Sequence, residues 1–335
     1  MFRSKLPVVA LAAAFATVLA VSEVFADWTQ FSLPNLADAF SPTAVANLPD
    51  GRYIFANEGN YYLQNAFGSS SYTAYSNTAP GNSADPSFIS VWDATHAVAG
   101  GGGFGPSDLY SFNPSSATAP SFAANGLSLQ NYSGVFRDAT SLYVGGGNGT
   151  DSTHAISYVN LATETTKVII DDISTYSTGF ARDAAGNLYV GDNNNNSVYK
   201  FTAAQLSVAI SGTPLNIADG TFVYQSINSL GSMAVDASGR IWSAGFLANG
   251  LQLYDPAFNT ETTVIPGLTN ANYTVTTFSV GGQAYVAYTD EANPFQGGTA
   301  LYYGYQAIPE PATFGLTLGG LVLLAVCRRK QCRLS

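Results

Sequence analysis

This chain of 335 residues has few of the groups that usually carry chemistry at neutral pH. Its only histidines are His96 and His154, and its only cysteines, Cys327 and Cys332, stand close to the C-terminus. The stretch from 27 to 308 therefore has no thiol. Disulfides, thiolate catalysis and Cys-ligated zinc are excluded for it, and at this size it must be held by an apolar core. No G-x-S-x-G occurs, so a strand-to-helix nucleophile elbow is lacking. Charge is sparse, at 10% of residues, and one-sided. Between 27 and 308, six Lys and Arg face twenty Asp and Glu, a net charge of −14. Such a field repels phosphate backbones and excludes nucleic acid as a partner, while hard cations stay compatible. GGGGFG at 100–105 lacks the lysine and helix context of a phosphate loop, which excludes nucleotide binding there.

What the chain does have is Tyr, Phe, Asn, Ser, Thr and Gly, a composition that favours strands and turns over helices. Its two ends depart from this. Arg3 and Lys5 precede an apolar stretch from Leu6 to Val21, which closes on Val24-Phe25-Ala26 before Asp27. A basic start, an apolar core and small residues at a cleavage point read as a secretory signal peptide over 1–26, cut by signal peptidase after Ala26. At the other end, Pro309-Glu310-Pro311 is followed by an apolar run from Phe314 to Val326 and by Arg328, Arg329, Lys330 and Arg333. A spanning helix needs roughly 20 apolar residues, so this run is short for a permanent anchor. The basic cluster would hold the C-terminus on the cytoplasmic side.

Triplet, apolar run and arginine-rich end together resemble the PEP-CTERM sorting signal of Gram-negative bacteria, over 308–335. The resemblance implies that a membrane protease-transpeptidase, exosortase, cuts near Pro309-Glu310-Pro311 and releases the mature chain to the cell surface or extracellular matrix. It also implies transient anchoring in the inner membrane by a C-terminal transmembrane helix, and association with exopolysaccharide and biofilm. Cys327 and Cys332 interrupt the basic residues where the family runs straight into arginines.

Between the ends the chain repeats. LPDGRYIFA (48–56), VWDATHAVAG (91–100), FRDATSLYVGG (136–146), ARDAAGNLYVGD (181–192), AVDASGRIWSAG (234–245) and SVGGQAYVAY (279–288) each join a polar turn to an apolar, aromatic strand. Aligned on Ile54, Ala97, Tyr143, Tyr189, Trp242 and Tyr285, they recur at intervals of 43, 46, 46, 53 and 43 residues. A further strand follows each turn-strand unit. Such a period predicts an all-β, six-bladed β-propeller over 27–307. The 53-residue interval holds an excursion, TAAQLSVAISGTPLNIADG, with a helical turn at Ala203 to Ile210. Trp28 to Ser32 alternates like a strand able to close the ring on the last blade. GFARDAAGNLYVGDNNNNSVYKF (179–201) resembles the NHL and SMP-30/gluconolactonase propeller repeats, a likeness of fold that does not carry function.

Asp50, Asp93, Asp138, Asp183 and Asp236 share one register, and an Asp before a tight turn is expected to cap its own backbone two residues on. The loops after the first quoted strands, rich in Gly, Asn and Asp, would emerge on one face as a rim. Their glycines are expected to supply positive φ. Candidate ligand-binding residues are Glu58, Asp108, Asp151, Asp192, Asn194, Asp290 and Glu291, with Phe104, Phe246 and Phe295 as stacking platforms. Such oxygen donors suit calcium, with Asp151 and Asp192 as its candidate ligands, or sugar hydroxyls. His96 is expected as a packed strand residue, and His154 opens a strand beside Asp151.

Two functions remain. One is a non-catalytic surface or matrix propeller that binds exopolysaccharide or matrix proteins through its rim. The other is a divalent-metal-dependent hydrolase or lyase of the SMP-30 kind, which needs Glu, Asn and Asp converging in the central channel. Small or hydroxylic residues lead the inner strands (Ser133-Gly134, Thr178-Gly179, Gly231-Ser232), which favours the first.

Overall fold

A computed structural model describes residues 27–33, 44–57, 60–76, 86–100, 108–116, 121–125, 131–147, 154–173, 179–245, 250–265, 274–291 and 301–309. The signal peptide and all of the sorting tail beyond Pro309 lie outside these residues. Among the described residues, no helix is long and apolar enough to cross a membrane.

Residues 28–306 form one compact unit of six antiparallel sheets. The first comprises β2 (Val45–Asn47), β3 (Tyr53–Asn57), β4 (Asn60–Gln64) and β5 (Tyr72–Ser76). The second comprises β6 (Phe88–Val91), β7 (Ala97–Gly100), β8 (Asp108–Phe112) and β9 (Ser121–Asn125). In the third are β10 (Asn131–Asp138), β11 (Ser141–Gly147), β12 (His154–Asn160) and β13 (Thr165–Ile173). The fourth has β14 (Phe180–Arg182), β15 (Leu188–Asp192), β16 (Ser197–Phe201) and β18 (Thr221–Gln225). The fifth has β19 (Ser232–Val235), β20 (Ile241–Ala244), β21 (Leu251–Asp255) and β22 (Thr260–Ile265). The sixth takes three strands from the C-terminal end, β23 (Val275–Val280), β24 (Gln283–Glu291) and β25 (Leu301–Ala307). Its fourth is β1 (Thr29–Ser32), which lies antiparallel to β25 with Thr29 opposite Tyr305.

The first strands are neighbours all the way round: β2 beside β6, β6 beside β10, β10 beside β14, β14 beside β19, β19 beside β23, and β23 beside β2. This is the six-bladed propeller that the repeat predicts. Each quoted turn-strand unit ends in the second strand of a blade, and each following strand is the third.

The 53-residue interval is long because β16 and β18 are separated by α1 (Ala203–Ser211) and by β17 (Leu215–Asn216). Thr202 caps α1: its Oγ1 accepts the Gln205 N–H, while the Gln205 side chain receives the Thr202 N–H. Leu206 and Ala209 bury one face of the helix, and β17 runs parallel beside β13, extending the third blade to five strands.

The core lies between blades, since each sheet buries both faces against its neighbours. At the seam between the sixth blade and the first, it is aromatic. Tyr303 sits 4.3 Å from Tyr53, ring to ring, and accepts a 2.6 Å hydrogen bond from Asn47 Nδ2. Phe67 of the first blade meets Phe278, Tyr285 and Tyr305 of the sixth at 6.0, 5.3 and 5.0 Å. The one blade built from both chain ends thus has a dense set of ring contacts, each adding about 0.5–1.5 kcal/mol beyond burial.

His96 differs from expectation. It is exposed and precedes β7, with Nδ1 2.9 Å from Asp93 Oδ1. The turn ends one residue later than the aligned repeats suggest, so the ring stays on the turn and Ala97 takes the strand position.

Candidate functional site

Adjacent strands of a blade run in opposite directions. The loops from second to third strand therefore share one face, and the turns from first to second strand share the other. The first face is the rim. Of its candidates, Glu58, Phe104, Asp151, Phe246 and Phe295 lie outside the described residues. Glu291 is the last residue of β24. Asp108, Asp192, Asn194 and Asp290 are described in full.

Asp192 ends β15 and is buried. Its Oδ1 accepts the Asn194 N–H at 3.2 Å, so it caps its own loop. Next along, Asn193 ties that loop to the following blade: its Oδ1 accepts the Leu230 N–H at 2.7 Å and its Nδ2 donates to the Leu230 carbonyl. Asn195 Oδ1 accepts the Ser197 N–H, and Asn196 adopts φ 55°. DNNNN is thus a self-satisfied turn whose free, exposed amide is that of Asn194. Asp108 stands at the start of β8; burial pushes the Tyr110 phenol up, and Asp108 adds to the shift. Asp290 acts likewise on Tyr288, whose phenol burial pushes up to about 12. Asp192 and Asn194 share a loop. Among the described residues, no three of His, Cys, Asp and Glu come together as a metal site.

The rim glycines serve a purpose that sequence reasoning missed. Among those described, Gly250 alone has positive φ. Four others leave room for a close neighbour. A Cβ on Gly100 would fall 2.6 Å from the Phe88 ring, on Gly145 2.8 Å from the Phe180 ring, and on Gly191 2.8 Å from Leu230. On Gly245 it would fall 2.0 Å from the Ser229 carbonyl oxygen. Large residues of first strands, or of the chain leading into them, sit over second-strand ends that have no side chain. Positive φ belongs instead to the opposite turns, at Gly51, Gly186, Gly239, Gly281 and Gly282.

The inner strands surround a channel of about 310 Å³. Its lining is Ser, Thr, Gly, Ala, Val, Ile, Phe and Met, with Asn47, Tyr132 and Arg182. Among the described lining residues, Arg182 is the sole charged group and none is a carboxylate. Some hydroxyls are already engaged between blades: Ser232 Oγ accepts the Val275 N–H at 2.9 Å, and Thr277 Oγ1 donates to the Val235 carbonyl at 3.0 Å. A divalent ion needs several anionic or carbonyl oxygens, and this lining does not fit one.

The turn aspartates behave as local caps. Asp50, Asp93, Asp138 and Asp236 accept the backbone N–H two residues on, from Arg52, Thr95, Thr140 and Ser238. Asp183 accepts instead from Asn187, four residues on. Asp236 goes further: buried with Arg240, it pairs with Arg240 Nε at 2.8 Å and accepts from Trp242 Nε1 at 3.1 Å. No ring of free carboxylates is left.

Comparison with known proteins adds two findings. Residues 307–331 match the PEP-CTERM protein-sorting motif. Such chains are exported, held briefly at the membrane by the tail, and processed by exosortase. No curated protein matches the sequence. The structure is similar to regucalcin, a calcium-binding protein from Agrobacterium tumefaciens, with a TM-score of 0.59 at 14% identity over 85% of this chain and 96% of that one. A gluconolactonase from Xanthomonas campestris gives 0.59 at 13%, covering 86% and 92%. A chain of the nidogen–laminin complex gives 0.54 at 12%, covering 72% and 85%. At these identities the likeness is one of fold, and it spans an enzyme and a matrix complex alike.

Proposed function

We propose that this chain is a non-catalytic propeller displayed outside a Gram-negative cell, where it binds exopolysaccharide or partner proteins through its rim. One observation carries the reading: among the described residues, the channel lining, where a metal-dependent lactonase would assemble its carboxylates, has none, while the tail has a sorting address. The rim's exposed amides and backbone offer neutral oxygen and nitrogen, suited to sugar hydroxyls or a polar protein surface. Glu58, Asp151, Glu291, Phe104, Phe246 and Phe295 are the further side chains proposed to contribute.

The competing reading is the metal-dependent lactonase that the regucalcin and gluconolactonase likenesses suggest. Thermal melts with calcium and with chelator separate the two. A cation bound only to the folded state at a hundredfold excess over its dissociation constant adds about 2.7 kcal/mol. Coincident melts, together with no hydrolysis of gluconolactone above background, are expected. A calcium-dependent rise in Tm that shrinks in Asp151→Ala would overturn the non-catalytic reading in favour of a metal site.

A further inference from the structure

A second opening is neither in the channel nor on the rim. A cleft of about 400 Å³ lies between the second and third blades, on the opposite face, where the turns from first to second strand emerge. Phe136 and Leu161 form its apolar side, and His96, Ser111, Asn113 and Ser121 its polar side. Beside it stands Trp92, tilted at 50° with its ring 6.1 Å from Phe136 and 41% exposed. Part of the indole face thus stays open to solvent beside the cleft.

The polar side is held in place. Asp93 accepts from the N–H groups of Thr95 and His96 at 2.7 and 2.9 Å and from Thr95 Oγ1 at 2.9 Å. Those bonds and the His96 ring hold its carboxyl down at about 2. Asp93 in turn takes the His96 Nδ1 hydrogen, at 2.9 Å to Oδ1 and 3.0 Å to Oδ2, which in the neutral ring leaves Nε2 as an acceptor. Asn113 Oδ1 is occupied by the Ser115 N–H, leaving its Nδ2 as a donor. Ser111 and Ser121 bring two hydroxyls within 3.5 Å of each other. Among the described residues that line the cleft, none is a lysine, an arginine or an acid. An apolar wall, an open indole, fixed donors and acceptors and no charge complement a molecule with an apolar face and a hydroxylated edge.

We propose that this cleft binds a neutral oligosaccharide, with Trp92 as the stacking platform and His96 Nε2, Asn113 Nδ2 and the two serine hydroxyls engaging sugar hydroxyls. A phosphorylated or carboxylated sugar has no cation to meet here. The site lies on the face away from the rim and stands or falls separately from it.

The test titrates the mature exported protein with neutral glucose, galactose and mannose pentasaccharides, and with polygalacturonate as the anionic arm, followed by indole fluorescence and calorimetry. Saturable binding of at least one neutral sugar is expected. Trp92→Ala should weaken it by about tenfold or more, and His96→Ala by about two- to tenfold, the range of one hydrogen bond. Ser121→Trp fills the cleft from its exposed edge without touching Trp92 and should abolish binding. Val208→Ala, on the exposed face of α1 and outside both rim and cleft, should leave it unchanged. Circular dichroism checks that each variant is folded; Trp92, His96 and Ser121 are all exposed, so the fold does not rest on them. Binding that persists in Ser121→Trp, that is undiminished in Trp92→Ala, that is confined to polygalacturonate, or that is absent altogether overturns the proposal.

Discussion

Asp236 and Asp50 occupy the same place in the repeat and make the same local bond, yet their energetic weight differs. Asp236 shares a buried ion pair with Arg240, side chains 2% and 4% exposed, while Asp50 meets Arg52 at the surface. Removing one partner of a buried pair strands the other charge and costs about 3–5 kcal/mol, whereas a surface pair is worth about 0–1 kcal/mol. Asp236→Ala should therefore lower Tm steeply and Asp50→Ala barely, as differential scanning would show. Gly245→Ala is a second case at this scale. The added methyl meets the Ser229 carbonyl and should cost about 1–3 kcal/mol through overpacking, with Ala at Gly281, where the space is open, as the comparison for its φ strain alone. The aspartate caps were legible in the sequence because each cap and the N–H that it accepts from stand within four residues. The glycine slots were not. Their occupants arrive from another strand, and from another blade in the case of Phe180 over Gly145, so nothing local announces them.

At the scale of elements, second and third strands were legible from their aromatic, apolar runs. Fourth strands were hidden. β22, Thr260–Ile265, alternates between exposed and half-buried because it is an outer strand with one side in water, and its sequence, TETTVI, reads as a polar loop. α1 could be seen because its apolar spacing departs from that of the strands around it. Its Thr202 cap makes a local prediction: Thr202→Ala should cost about 0.5–2 kcal/mol and loosen the outer part of the fourth blade, which hydrogen exchange can localise. β1 makes a larger one. Without residues 28–32, β25 loses its partner, Trp28 leaves its edge-on contact with Tyr288 at 4.9 Å, and Phe31 leaves its stack on Tyr305 at 6.0 Å. A chain lacking them should melt well below the intact body and self-associate through the exposed edge, visible as a rise in mass by light scattering.

For the whole molecule, buried tyrosines set an alkaline limit. Burial pushes the phenols of Tyr53, Tyr75, Tyr224 and Tyr303 up beyond their ordinary range, and Tyr288 up to about 12. A phenol raised on folding contributes stability that is complete below its unfolded value near 10 and is lost as pH climbs through the folded value. Stability should hold to about pH 10 and fall from there toward 12. Phenolate absorbance should appear in two steps, the exposed phenols first and the buried ones together with the loss of circular dichroism. A smooth single titration with the fold intact would contradict the burial described.

The closing strand also sets a timetable. β1 precedes every other described strand in the chain, yet its partner β25 follows them all. Until Tyr302 to Tyr305 emerge, the sixth blade has an open flank and the ring has no seal. Completion of the fold thus waits for the C-terminal end of the body, with the sorting tail still to follow. A ribosome that stops early leaves a body that cannot close, and such a body should be cleared by proteases while the finished one resists them. Full-length export and resistance to digestion should appear at the same moment in a pulse-chase experiment, because in this architecture the final strand is also the lock.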